Sequence, residues 1–246
     1  MIDTFMTIGG DKEYFQYSDY SIPSFLKSNP GMNLHIFTTS PEYFQKYNNP
    51  YLKIYNYNIF KEHKDCQHIV NHIKRRYVNF SQFGYTHKHE FCAIGLIIAQ
   101  QILTNSNWIL KVDCDSYFAG NIFDIIIPQL VDNIDLYVVE RVNPGTTFES
   151  KEPGAGFILW NRKDESIIQK YIKYFTGHEQ FTLQKKLLPK ISHKIFTHPG
   201  LHFVWPFTDP NFNKQDAEKF LPAYFHFTGN NIIEQLKIFE SWFNEN

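Results

Sequence analysis

Residues 108–115 read WILKVDCD, a mostly apolar run that ends in two aspartates separated by one residue. Five consecutive residues of this composition predict a buried strand. Asp113 and Asp115 then lie at the carboxyl end of that strand. Open α/β sheets bind their ligands at this edge, so the sequence predicts a ligand site here.

Two neighbouring carboxylates suggest a divalent cation as part of that ligand. They repel each other and lose hydration at the edge of a sheet, and a hard cation relieves both penalties. We therefore expect Asp113 and Asp115 to hold Mn²⁺ or Mg²⁺ against the diphosphate of a leaving group. The alternative interpretation is that Asp113 caps a turn and Asp115 begins the following loop.

Alternating strand and helix patterns surround this stretch. They predict an α/β fold with a mostly parallel central sheet flanked by helices. Strands are expected at 3–8, 34–39, 52–57, 108–112, 135–140 and 156–160, and helices at 11–28, 61–80, 88–103, 164–175, 179–188 and 232–243. Residues 193–220 carry scattered prolines and aromatics and are expected to form loops around a site.

Length and composition narrow the class of protein. The chain has 246 residues, which favours a single domain, and 43% of them are hydrophobic, enough for a packed core. Lys and Arg number 24 against 25 Asp and Glu, so no broad field favours a nucleic-acid partner. Three cysteines form no disulfide framework, and no apolar run is long enough for a transmembrane segment. We expect a soluble, cytoplasmic protein.

Residues 108–125, WILKVDCDSYFAGNIFDI, resemble the Asp-x-Asp segment of GT-A glycosyltransferases, a strand followed by an apolar stretch and a short helix. Three further segments match in the same order. Residues 7–9 resemble the part that holds the nucleotide, and residues 154–156 resemble the "Asn-Ala-Gly" segment beside the donor sugar. Residues 226–229 resemble the His-x-x-Gly of glycogenin-like enzymes and related bacterial galactosyltransferases.

The resemblance implies a Rossmann-like GT-A fold and transfer of a hexose from a nucleotide sugar, most often UDP-linked, to a glycan or glycoconjugate acceptor. Residues 1–120 would form the nucleotide-sugar half and residues 121–246 the acceptor side. His226 would be the third metal ligand. The implied donor-binding residues are Thr7, Ile8, Gly9, Lys88, Asp113, Cys114, Asp115, Gly154, Ala155, Gly156 and Gly229.

Two acidic residues are candidates for the catalytic base that takes the acceptor proton. Glu179 opens a predicted helix, as an acidic residue does in this region of many GT-A enzymes, although an acid there also favours the helix dipole. Asp209 lies in an aromatic segment, where its alternative role is an Asp-Pro turn. The His226 motif favours retention of anomeric configuration, in which no separate base is required.

The chain departs from the glycogenin-like pattern at two positions. Ile232 stands where that family has a lysine for the diphosphate, and Gly154 stands where many members have asparagine. Two other functions therefore stay open. A haloacid-dehalogenase-type phosphoryl transferase would use Asp113 as its nucleophile. A non-catalytic domain would bind the sugar nucleotide without transferring the sugar.

Overall fold

The computed structural model describes residues 1–9, 12–60, 62–76, 85–141, 152–196, 198–201, 211–227 and 231–244. The first half contains β1 (Ile2–Ile8), α1 (Lys12–Ser28), β2 (Leu34–Thr38), a 3-10 helix (Pro41–Lys46), β3 (Leu52–Asn56), α2 (Tyr57–Phe60), α3 (Lys64–Arg76), α4 (Tyr85–Ile102), β4 (Trp108–Val112) and β5 (Ser116–Ala119).

The second half continues with α5 (Phe123–Ile126), β6 (Leu136–Arg141), β7 (Glu152–Asn161), α6 (Ser166–Tyr174) and α7 (Glu179–Phe181). A π-helical turn (Thr182–Leu187) and a 3-10 turn (Leu188–Lys190) extend α7. The chain then forms β8 (His193–Phe196), a 3-10 turn (Pro199–Leu201), α8 (Lys214–Glu218), β9 (Ala223–His226) and α9 (Ile232–Phe243).

Seven strands form one sheet in the order β3-β2-β1-β4-β7-β6-β8. The neighbours from β3 to β4 are parallel, β7 is antiparallel to both β4 and β6, and β8 is parallel to β6. The predicted mostly parallel α/β sheet in a single domain is therefore confirmed.

Alternation along the central strands divides the core between the two faces of the sheet. Phe5 and Ile109 pack on one face, together with apolar side chains of α4 and α6. Met6 and Leu110 pack on the other, together with α1 and α9. Burying each such side chain contributes about 2 kcal/mol, so both faces hold the site's two central strands firmly in place.

Helix α4 lies close to the carboxyl end of β1. Gly95 permits this approach, because a Cβ at that position would collide with the Thr7 hydroxyl. A Cβ on Gly9 would similarly meet the Phe91 ring at 2.7 Å. The absence of side chains at these glycines brings α4 against the strand edge where the predicted ligand site lies.

The helix expected at 61–80 is present, where the chain is described, as α3, which begins at Lys64. Other sequence predictions were wrong in detail. The loops expected at 193–220 contain β8, which adds an edge strand to the sheet, and α8. The residues after Asp115 form β5 before the short helix α5, and β5 pairs with β9 in a separate antiparallel sheet. Partner strands distant in sequence create these elements, and local patterns do not reveal such partners.

Candidate active site

A crevice opens at the carboxyl ends of β1 and β4. The chain leaves β1 to build β2 and β3 on one side, and returns to place β4 on the other. This reversal leaves a gap between the flanking connections, which is where open α/β sheets bind ligands. The cleft at this point is lined by Thr7, Gly9, Tyr14, Phe91, Cys92, Asp113, Cys114 and Asp115.

Three potential metal ligands converge beside the cleft. One ligand atom from each of Asp113, Asp115 and His226 lies within 4.8 Å of the other two. His226 Nε2 is 3.0 Å from Asp115 Oδ1 and 3.5 Å from Asp113 Oδ2. The β5–β9 pairing produces this arrangement, because it sets His226 opposite Ser116. The Phe227 amide donates to the Asp115 carbonyl at 2.8 Å and extends the pairing.

The three side chains fit a divalent cation in geometry and in charge. Ligands about 2.1 Å from a metal and at right angles to each other lie about 3 Å apart, close to the distances from His226 Nε2. The ammonium of Lys111 pairs with Asp113 and Glu179, whereas Asp115 lies against His226. With His226 neutral, as a metal ligand must be, the three carboxylates and this one ammonium leave two negative charges in excess among the described side chains of the cluster. One divalent cation would balance them.

Lys111 places a buried positive charge in the described part of the site. Strand alternation points it to the same face as Asp113, and its Nζ donates to Asp113 Oδ1 at 2.8 Å. Glu179 Oε1 lies 2.9 Å away in an ion pair, and the Ala155 carbonyl accepts at 2.7 Å. Burial by itself would lower the pKa of Lys111, but the carboxylates of Asp113 and Glu179 hold that pKa well above its ordinary value.

The small-residue segment 154–156 lies beside this cluster as part of β7. The Asp113 amide donates to the Gly156 carbonyl at 3.1 Å, and Tyr224 Oη donates to the same carbonyl at 3.0 Å. Gln180 accepts from the Ala155 amide at 2.7 Å. The segment that resembles "Asn-Ala-Gly" is therefore held against the Asp-x-Asp strand.

The structure brings most of the predicted site residues to one place. Thr7, Gly9 and Cys114 line the cleft with both aspartates. Ile8 packs in the core with 0% exposure, so its side chain does not line the cleft. Glu179 is 6% exposed and is linked to Asp113 through Lys111. The Lys88 side chain, Asp209 and Gly229 lie outside the described residues.

Sequence reasoning missed four residues of the site. Tyr14, Phe91 and Cys92 belong to amphipathic helical patterns, and nothing in those patterns separates a residue facing a cleft from one facing the core. Lys111 did carry a signal. A single charge inside an apolar strand must find a buried partner, and here it finds two carboxylates.

No protein-family model and no curated protein sequence matches the chain. Solved structures do match. WbbM, a bifunctional glycosyltransferase, shares 12% identity with a TM-score of 0.59 over 94% of this chain and 46% of that chain. Mouse xyloside xylosyltransferase 1 shares 11% identity with a TM-score of 0.58 over 94% and 98% of the two chains. A glycosyltransferase involved in the glycosylation of the major capsid of PBCV-1 shares 13% identity with a TM-score of 0.54 over 97% and 99%.

These similarities establish the fold. The chain has the architecture of GT-A glycosyltransferases, as its Asp-x-Asp segment predicted, and it spans about half the length of WbbM. Within the described residues, no helix combines the length and apolar character needed to cross a bilayer. The cytoplasmic location and the division into halves at residue 120 stay predictions.

Proposed function

We propose that the chain is a metal-dependent glycosyltransferase that moves a hexose from a nucleotide-diphosphate sugar, UDP-linked in the first instance, to a hydroxyl of a glycan or glycoconjugate. One observation carries the proposal. Asp113, Asp115 and His226 converge at the carboxyl edge of a sheet that has the glycosyltransferase fold. Oxygen and imidazole ligands together suit Mn²⁺ better than Mg²⁺, which prefers oxygen ligands alone.

The donor would lie along the crevice between β1 and α4. The nucleotide would contact Thr7 and Gly9, with the rings of Tyr14 and Phe91 as walls of the same cleft. Aromatic rings stack on bases and sugars, which supports this placement. The diphosphate would lie at Asp113 and Asp115, and the sugar would lie beside residues 154–156. A divalent metal held there supplies the positive charge that a departing diphosphate requires.

The transfer breaks the bond between the anomeric carbon of the sugar and the diphosphate oxygen. A bond forms between that carbon and the acceptor oxygen, and the acceptor proton is released. We propose retention of configuration, in which the departing diphosphate oxygen takes this proton. Glu179 and Asp209 stay the candidate bases of an inverting reaction. The carboxylate of Glu179 is paired with Lys111 and is almost fully buried, and Asp209 lies outside the described residues.

A donor screen tests the proposed function. The purified chain is incubated with UDP-, GDP- and dTDP-sugars and Mn²⁺, and release of the nucleoside diphosphate is measured. We expect release from one nucleotide class, loss of that release with EDTA, and recovery with added Mn²⁺. Release that is unaffected by EDTA would contradict the metal assignment. Retention is checked by NMR of the product's anomeric proton, and an inverted product overturns it.

Two outcomes would support the other candidate functions. The three glycosyltransferase structures favour sugar transfer over phosphoryl transfer. An aspartyl phosphate trapped at Asp113, with phosphatase activity, would nevertheless establish the phosphoryl transferase. Tight UDP binding without transfer or donor hydrolysis over the whole panel would establish a non-catalytic binding domain.

A further inference from the structure

Lys111 does more than neutralise one carboxylate, because its ammonium contacts several parts of the chain. Its side chain is 1% exposed, and three oxygen atoms lie within 2.9 Å of its Nζ. These oxygens belong to three separate parts of the chain: Asp113 after β4, Ala155 in β7 and Glu179 at the start of α7. A buried ammonium needs such partners. It donates hydrogen bonds to Asp113 and Ala155 and forms an ion pair with Glu179. The lysine therefore ties three segments together at one point.

The contact with Asp113 fixes which carboxylate oxygen faces the metal ligands. Oδ1 of Asp113 accepts from Lys111 at 2.8 Å, and Oδ2 faces His226 Nε2 at 3.5 Å. If the ammonium were removed, the carboxylate could rotate about its last side-chain bond, since that torsion is broad. Lys111 thus holds the orientation in which one oxygen is presented beside His226.

The same ammonium holds the small-residue segment. The Ala155 carbonyl accepts from Lys111 at 2.7 Å, while the Ala155 amide donates to Gln180 Oε1 at 2.7 Å. Gln180 Nε2 in turn donates to the Pro153 carbonyl at 2.5 Å. Consecutive residues of one helical turn, Glu179 and Gln180, therefore support Lys111 and Ala155 together. Both polar groups of the Ala155 backbone are fixed by side chains.

We infer that Lys111 is a positioning residue, which fixes Asp113 and the Ala155 peptide in one geometry so that the metal ligands and the donor-sugar segment stay aligned. The inference rests on the proposed function, because it assigns the lysine to that same site. It also gives Glu179 a role as the ion-pair partner of Lys111. Through this ion pair, Glu179 helps to keep Lys111 in contact with Asp113.

A charge-balanced double variant tests the inference. Lys111→Met with Glu179→Met removes one charge of each sign, so the net charge around Asp113 is unchanged. Replacing a buried ion pair by apolar residues of similar volume is commonly neutral for stability, so the variant should fold. Binding of Mn²⁺ alone is measured by titration calorimetry. We expect the Kd for Mn²⁺ to rise about tenfold, the range found when support for a metal ligand is lost.

A second variant covers the case in which the double variant does not fold. Lys111→Arg keeps the charge, but a planar guanidinium cannot place one nitrogen against the same three oxygens. It should also raise the Kd for Mn²⁺ about tenfold. The control is Lys46→Met with Asp19→Asn, which removes a more exposed pair outside the cleft and should leave the Kd unchanged.

The outcomes separate the inference from the proposed function. If a folded variant at Lys111 binds Mn²⁺ within twofold of the parent chain, the positioning role is overturned and the metal site stands. If the parent chain itself binds no Mn²⁺, the proposed function fails and this inference fails with it.

Discussion

A cluster of charged side chains lies at each end of the strand pair β1 and β4, and the two clusters differ in how their charges are balanced. At the amino end, Asp3 accepts from Asn33 at 2.9 Å and from the Ser106 hydroxyl, and His35 lies 3.6 Å away. At the carboxyl end, Asp113 and Asp115 lie near each other with His226 between them. The first cluster satisfies one carboxylate with several donors, whereas in the second the described carboxylates outnumber the described cations.

The difference appears in exposure and in charge. The Asp3 side chain is 8% exposed, and burial by itself would raise its pKa, but hydrogen bonds from His35, Ser106 and Asn33 lower that pKa to about 2. The Asp113 side chain is 19% exposed and opens towards the cleft. The donors to Asp3 all come from the protein, whereas the second cluster would be completed by the cation that we propose it binds. We infer that the first stabilises the fold and that the second serves binding.

The largest expected effect is on activity. Asp115→Asn keeps the size of the side chain but removes a metal-binding charge, so nucleotide-sugar turnover should fall at least about 1000-fold. The variant should remain folded, because its carboxylate neighbours repel it in the absence of metal. Turnover with Mn²⁺ and chemical denaturation measure the two effects. Asp132→Asn, at an exposed position, is the matched control, and full activity in Asp115→Asn would refute the metal assignment.

The second largest expected effect is on the stability of the chain, at the Asp3 cluster. Asp3→Asn should lower the unfolding free energy by about 2 kcal/mol at pH 7, because the pKa of Asp3 lies near 2 when folded and near 4 when unfolded. The Asp3 carboxylate is protonated at a lower pH in the folded parent chain than in the unfolded chain. The difference in unfolding free energy between the parent chain and Asp3→Asn should therefore decrease as the pH falls from about 4 to about 2.

Denaturation at pH 7, 4 and 3 measures this effect, and turnover of Asp3→Asn should stay close to that of the parent chain. If the difference in unfolding free energy between the parent chain and Asp3→Asn is the same at all three pH values, the effect comes from lost hydrogen bonds and does not depend on ionisation of Asp3. A large loss of turnover in Asp3→Asn would contradict the inference that the Asp3 cluster serves stability alone.

The smallest effect is the stabilisation of the folded chain by metal. At Mn²⁺ ten times above its Kd, binding contributes about 1.4 kcal/mol, which raises the Tm of a chain of this size by about 4 °C. The shift should persist in Asp3→Asn and disappear in Asp115→Asn. Equal shifts in both variants would place the binding site elsewhere.

Local sequence was sufficient to predict the elements that build the framework. The alternation and apolar runs of β1, β2 and β4, and the helical periodicity of α1, α4 and α9, depend on residues near in sequence. The Asp-x-Asp pair follows one of these strands, and the GT-A fold was implied by the resemblance of that segment to GT-A glycosyltransferases.

The sequence by itself determined that two aspartates end a buried strand in a mostly parallel sheet, because the strand and its ending are encoded in one short stretch. Only the tertiary structure decided which other side chains contact these two aspartates. His226 reaches Asp115, 111 residues away in sequence, through the pairing of β5 with β9, and Glu179 reaches Asp113 through the ammonium of Lys111. Such contacts depend on how separate elements pack, and local residue patterns carry little record of that packing.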